Sequence, residues 1–72
     1  MREMLLETEV ALTPRERAIA RLVAEGKQNK QIAHELGVTT PTIKAHLGAV
    51  YAKTRVRNRV ELTLLMLETR DA

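Results

Sequence analysis

Apolar residues recur along the chain at helical spacing, in four runs punctuated by Gly, Pro, Thr and Asn, and strand-like alternation is absent. The first run sets Ile19, Leu22 and Val23 on one side, with Leu12 just ahead of it. Thr13-Pro14-Arg15-Glu16 opens this run. Threonine caps free amides, proline suits a first turn, and a glutamate three residues on completes a capping box. The pattern predicts a helix to about residue 25, stopped by Gly26. A shorter helix from about residue 29 turns Ile32, Ala33 and Leu36 inward and ends at Gly37, which supplies the positive φ of a helix-terminating turn. Val38 is expected to be buried in the connection that follows.

Thr39 or Thr40 caps the third helix, and Pro41 fits its first turn without losing an interior hydrogen bond. It is expected to reach residue 53 or 54. Ile43, Leu47 and Val50, at i, i+4 and i+7, form its packing face, while Lys44, Ala45, Gly48, Ala49 and Ala52 cluster on the other side. Asn58 caps a last helix over about 59–68, whose final residues are expected to fray. That helix is apolar twice over, with Val60, Thr63, Leu64 and Leu67 on one side and Leu62, Leu65 and Met66 on the other. One side closes the core; Leu62, Leu65 and Met66 are assigned to an interface with a second copy. The fold class is therefore all-α: a compact four-helix domain over 12–68 with a C-terminal dimerisation helix, a tail or linker over 1–11 and a tail over 69–72.

Composition narrows the possibilities. A chain of 72 residues supports one small core. Without cysteine there is neither a disulfide framework nor a thiolate metal site, and the cytoplasm is the default compartment. The opening MREMLLETEV lacks the apolar core of a signal peptide, and no run approaches the roughly 20 apolar residues that span a bilayer, so no membrane partner is expected. Charge is uneven. Between residues 27 and 60, Lys27, Lys30, Lys44, Lys53, Arg55, Arg57 and Arg59 face only Glu35, which leaves that segment six positive and the remainder three negative. A polyanion such as nucleic acid is one partner for such a segment; a merely solvated basic surface is the other reading.

Two short helices joined by a Gly-containing turn, the second with a polar outer face, describe a helix-turn-helix whose second member enters a DNA major groove. The capped N-terminus of that helix favours a phosphate, with Thr39, Thr40 and Thr42 adding hydroxyl contacts. Leu12-Thr13 with Arg15-Glu16, Gly26, Asn29-Lys30 with Ile32-Ala33, Thr42-Ile43-Lys44 with His46, and Lys53, Val56 and Arg59 then form a highly specific set. It resembles the C-terminal DNA-binding domain of LuxR/FixJ-type regulators, also called GerE-like, from Leu12 to about Leu67. That resemblance implies a third helix that reads DNA, a second that braces it and a fourth that dimerises. Gln28 stands where the family usually has Ser or Thr, Thr54 where it has Leu, and Arg55 where Gly or Asn is common. Gly48 occupies a position where many members present a long side chain.

The expected DNA-contacting residues are Asn29, Lys30, Thr39, Thr40, Thr42, Lys44, Ala45, His46, Gly48, Lys53 and Arg57. Lys44 hydrogen-bonds a guanine edge or binds phosphate, against the plain reading of a solvated lysine. Ala45 or Ala49 touches a thymine methyl, and Gly48 brings backbone close to the groove floor. Asn29 meets phosphate or caps the second helix. Arg57 reaches a flanking phosphate; Arg59 does the same or pairs with Glu16 or Glu61. His34 and His46 lie on different helices with no supporting cluster, so no metal is expected. Tyr51, the sole aromatic, leaves little material for stacking single strands. With no acid pair, nucleophile or phosphate loop in view, neither catalysis nor a cofactor is expected. The leading reading is a double-stranded DNA-binding transcriptional regulator acting as a homodimer. The alternative is an interaction module that meets RNA polymerase or another regulator through the small residues of the third helix.

Overall fold

A computed structural model of the chain describes residues 11–71, with side chains through Glu68. Of the tail expected over 1–11, only Ala11 lies within the described residues. Among these residues there are helices and no strands: α1 (Pro14–Ala24), α2 (Asn29–Leu36), α3 (Thr40–Thr54) and α4 (Arg59–Asp71). The all-α expectation holds.

Each helix end has a local chemical cause. Thr13 Oγ1 accepts from the Glu16 amide at 3.1 Å, and Glu16 Oε1 accepts from the Thr13 amide at 2.9 Å, closing the expected capping box. Past α1, Gly26 takes φ +89° while the Lys27 amide reaches back to the Leu22 carbonyl at 3.2 Å. Gly37 ends α2 at φ 69°, and the Val38 amide bonds the Ala33 carbonyl at 3.0 Å. Thr39, of the two threonines considered, caps α3, with its Oγ1 accepting from the Thr42 amide at 3.3 Å. Asn58 Oδ1 accepts from the Glu61 amide at 2.9 Å and opens α4.

α1 packs against α2, α3 and α4, and α2 packs against α3. Leu12, Ile19, Ala20 and Val23 meet Ile32 and Ala33 of α2, Ile43, Leu47 and Val50 of α3, and Leu62 and Met66 of α4 in one core. Leu22, Leu36 and Val38 pack at its margin. The inward faces of the first three helices thus follow the periodicity.

The last helix departs from expectation in two respects. Leu62, Leu65 and Met66 are buried at 0%, 9% and 4% exposure, whereas Val60, Leu64 and Leu67 stand at 68%, 60% and 42%. The triplet assigned to a second copy closes the domain's own core, and the opposite strip faces outward. Periodicity alone is symmetric between two apolar sides, and the direction in which α4 meets α1 decides. The helix also continues to Asp71, so residues 69–71 extend it rather than forming a tail.

Candidate nucleic-acid interface

The face of α3 turned from the core exposes Pro41, Lys44, Ala45, Gly48 and Ala52, spaced as one side of a helix requires. Lys44 is the only long polar side chain in that row. Beyond its chain neighbours and the backbone of its own helix, no atom lies within 4 Å of the position a Cβ on Gly48 would occupy, so the glycine is not demanded by packing within the domain. Thr39 is exposed at the start of α3, with Thr40 and Thr42 half-buried beside it. The hydroxyls of Thr39 and Thr42 lie 2.9 Å apart and share a hydrogen bond. Lys30 is exposed in the first turn of α2, Arg57 is exposed between α3 and α4, and His46 is half-buried.

Two expected site residues are otherwise engaged. Lys53 Nζ donates to Glu16 Oε1 at 2.7 Å, tying the end of α3 to the start of α1. Glu16 is the single buried charged residue among those described, and the bond from Lys53, followed by that from the Thr13 amide, holds its carboxyl below the ordinary glutamate value. Asn29 does not cap α2, a position taken by Gln28, whose amide donates to Gln31 Oε1 at 2.9 Å. Asn29 Oδ1 instead accepts from Arg59 Nη1 at 2.8 Å, while Arg59 Nη2 donates to the Lys27 carbonyl at 2.6 Å. Arg59 therefore pairs with neither Glu16 nor Glu61. The side chain of Glu61 accepts from the Arg57 amide at 2.6 Å.

Charge pairing redistributes the basic segment. Lys27 bonds Glu35, which raises its pKa, and Lys53 is held by Glu16. Lys30, Lys44, Arg55 and Arg57 are exposed and form no salt bridge with any described residue. Four uncompensated cations thus lie on α2, on the open face of α3 and just beyond its end. Arg55 sits in the left-handed region at φ 60°, ψ 21°, a conformation that glycine or asparagine would adopt more readily. Thr54 returns its hydroxyl to the Val50 carbonyl at 2.8 Å and so hides its polar atom within the helix.

Sequence reasoning missed the tie from Arg59 to Asn29 and Lys27, because its partners lie about thirty positions away and no helical or turn spacing links them. No helix among the described residues is long and apolar enough to cross a membrane.

Residues 10–66 match the family model described as bacterial regulatory proteins, luxR family. Over 55 residues the chain is 44% identical to the two-component response regulator PprB of Pseudomonas aeruginosa, covering 76% of this chain and 20% of that protein. It is 49% identical over 51 residues to the monoamine regulon transcriptional regulator of Klebsiella aerogenes, covering 71% and 22%. To the nitrate/nitrite response regulator protein NarL of Escherichia coli it is 41% identical over 59 residues, covering 82% and 27%. The chain thus spans about a fifth to a quarter of the length of these relatives. No solved structure matches it.

Proposed function

The chain belongs to the luxR family of bacterial regulatory proteins, and from that premise we propose that it binds double-stranded DNA through α3 in the major groove and regulates transcription as a homodimer. The observation that carries this reading is the open face of α3, with Lys44 at its centre and uncompensated cations on either flank. The family is one of regulators rather than enzymes.

Lys44 donates to a guanine edge, Ala45 meets a thymine methyl, and the backbone at Gly48 lies against the groove floor. Thr39, with Thr40 and Thr42, sets the α3 N-terminus on a phosphate, where helix dipole and free amides favour negative charge. Lys30 and Arg57 hold flanking phosphates, and Arg55 joins them. Because a single long side chain reads bases, much of the sequence preference comes from the shape of the DNA. Lys53 and Asn29 act through the packing of the domain instead.

Dimerisation is supported by the outward strip of Val60, Leu64 and Leu67, an apolar surface that a two-fold axis lets a second copy cover. Two α3 helices then meet half-sites about one helical turn apart, and an inverted-repeat operator follows.

Selection of duplexes from a random pool tests the reading. Affinity for the enriched duplex should fall with salt at a log–log slope of about −3 to −4 per bound copy, as expected if Lys30, Arg55 and Arg57, with or without Lys44, neutralise phosphates. Lys44→Ala should cost about 1–3 kcal/mol at one base and relax preference there. The small residues Ala45, Gly48, Ala49 and Ala52 favour a second reading, close packing against RNA polymerase or another regulator. No enriched duplex at low salt would decide for it.

A further inference from the structure

We propose that Arg59 is a positioning residue for DNA binding: its guanidinium latches the start of α2 to the start of α4 and so fixes where Lys30 and the first amides of α2 are presented. This rests on the DNA-binding reading above.

The segment between α1 and α2 is held to its own two helices: the Lys27 amide bonds the Leu22 carbonyl, the Lys27 ammonium bonds Glu35, and the Gln28 amide donates to Gln31 Oε1. None of these bonds ties it to α4. α2 packs chiefly on α1 and α3 through Ile32 and Ala33, both beyond its first turn. Arg59, the first residue of α4, crosses to that segment and places its two terminal nitrogens on two successive acceptors, 2.6 Å from the Lys27 carbonyl and 2.8 Å from Asn29 Oδ1. Those acceptors flank Gln28, so the pair of bonds sets both the height and the direction of the first turn of α2. Lys30 is the next residue along.

The electrostatics argue for a purpose beyond stability. Arg59 lies at the N-termini of two helices, where the backbone dipoles disfavour a cation, and both of its acceptors are neutral. Neither helix dipole nor a carboxylate partner accounts for a cation there, and what the position uses is the rigid fork that spans two acceptors. Arg59 also stands at i relative to Leu62 and Met66 at i+3 and i+7, on the inward side of α4. The latch therefore runs from the helix that carries the outward apolar strip to the helix that braces α3.

Charge and geometry are separable by substitution. Arg59→Lys keeps the charge but cannot span two acceptors with a rigid fork; Arg59→Gln removes the charge. Binding of the selected duplex is measured for both, at a temperature where circular dichroism shows each folded, along with hydrogen exchange of the amides of residues 28–31. Both variants are expected to lose about tenfold in affinity, the scale of one charge-assisted bond. Exchange at 28–31 is expected to quicken in both while the α1 and α3 core amides stay protected. Lys30→Ala should cost less in the Arg59→Lys background than in the wild type, because its position is already lost. Asn29→Ala removes one acceptor from the other side and is expected to reproduce the loss if the Arg59 variants do not fold.

Near-wild-type binding by Arg59→Lys, with a salt slope about one unit shallower in Arg59→Gln, would overturn the proposal and make Arg59 a direct phosphate contact. Additive effects of Lys30→Ala and Arg59→Lys, or core amides that quicken as much as 28–31, would overturn it as well. A wild type that binds no duplex at low salt would refute the DNA-binding reading itself, and the role in binding would fall with it even if exchange at 28–31 responded as expected.

Discussion

Lys53→Met is expected to destabilise the domain more than Glu16→Gln does, although the two remove opposite ends of one ion pair. The pair is unevenly buried: the Glu16 side chain is 7% exposed and that of Lys53 is 37% exposed. Methionine keeps the apolar stem of Lys53 but strips the carboxylate of its nearer cationic donor at 2.7 Å, leaving the Thr13 amide at 2.9 Å. One hydrogen bond to a buried charge is worth about 1.5–3 kcal/mol. The loss has a ceiling, because Glu16 can take up a proton; from its ordinary value of 4.5 that costs about 3.4 kcal/mol at pH 7. The expected cost of Lys53→Met is thus about 2–3 kcal/mol at neutral pH. Glu16→Gln keeps an acceptor for Thr13 and frees an ammonium that water can reach, for about 1 kcal/mol.

The pH dependence follows from the sign of the shift. The folded pKa of Glu16 lies below its unfolded value, so the pair's contribution is fully present above about 4.5 and is lost as pH falls through the lowered folded value. Urea unfolding followed by circular dichroism at a series of pH values should show the Lys53→Met deficit shrinking toward acid. A deficit equal at neutral and acid pH, or a larger cost for Glu16→Gln, would refute the picture of a buried carboxylate tethered by a half-exposed lysine.

Arg55→Gly should raise stability by about 0.5–1 kcal/mol, the relief of a left-handed residue less the added freedom of the unfolded chain, while weakening DNA binding through the lost cation; opposite signs in thermal melts and in duplex titration check it. Gly48→Ala should stabilise α3 by about 0.8–1 kcal/mol, since its Cβ meets open space, and weaken binding if the helix backbone lies on the groove floor. Stability that fails to rise would contradict the open surroundings, and affinity that holds or improves would contradict the close approach. Leu64→Glu should abolish self-association in sedimentation experiments while leaving a folded monomer, because Leu64 is exposed, whereas Leu62→Glu should unfold the domain. A concentrated wild type that stays monomeric, both free and on a two-half-site duplex, would sink the dimer.

Local chemistry is what the sequence by itself determined. The boundaries of α1, α2 and α3, the Thr13 box, the turn at Gly37 and the inward rows Ile19, Val23 and Ile43, Leu47, Val50 all follow from interactions within a few residues, which spacing encodes directly. The outward row with Lys44, Ala45 and Gly48 was legible for the same reason, as the complement of a clear apolar stripe. Tertiary structure alone decided the rest. Which of two apolar sides of α4 is inside depends on how that helix meets α1, and no local pattern distinguishes Leu62 and Met66 from Val60 and Leu64. Which cations remain open depends on carboxylates brought from elsewhere: Glu16 reaches Lys53 across 37 positions, and Glu35 reaches Lys27 across 8. Arg59 finds the Lys27 carbonyl and Asn29 only because packing of α4 on α1 brings its first residue to the start of α2. A long charged side chain ends several bonds from its backbone, so its partner is set by the meeting of helices rather than by its neighbours in the chain.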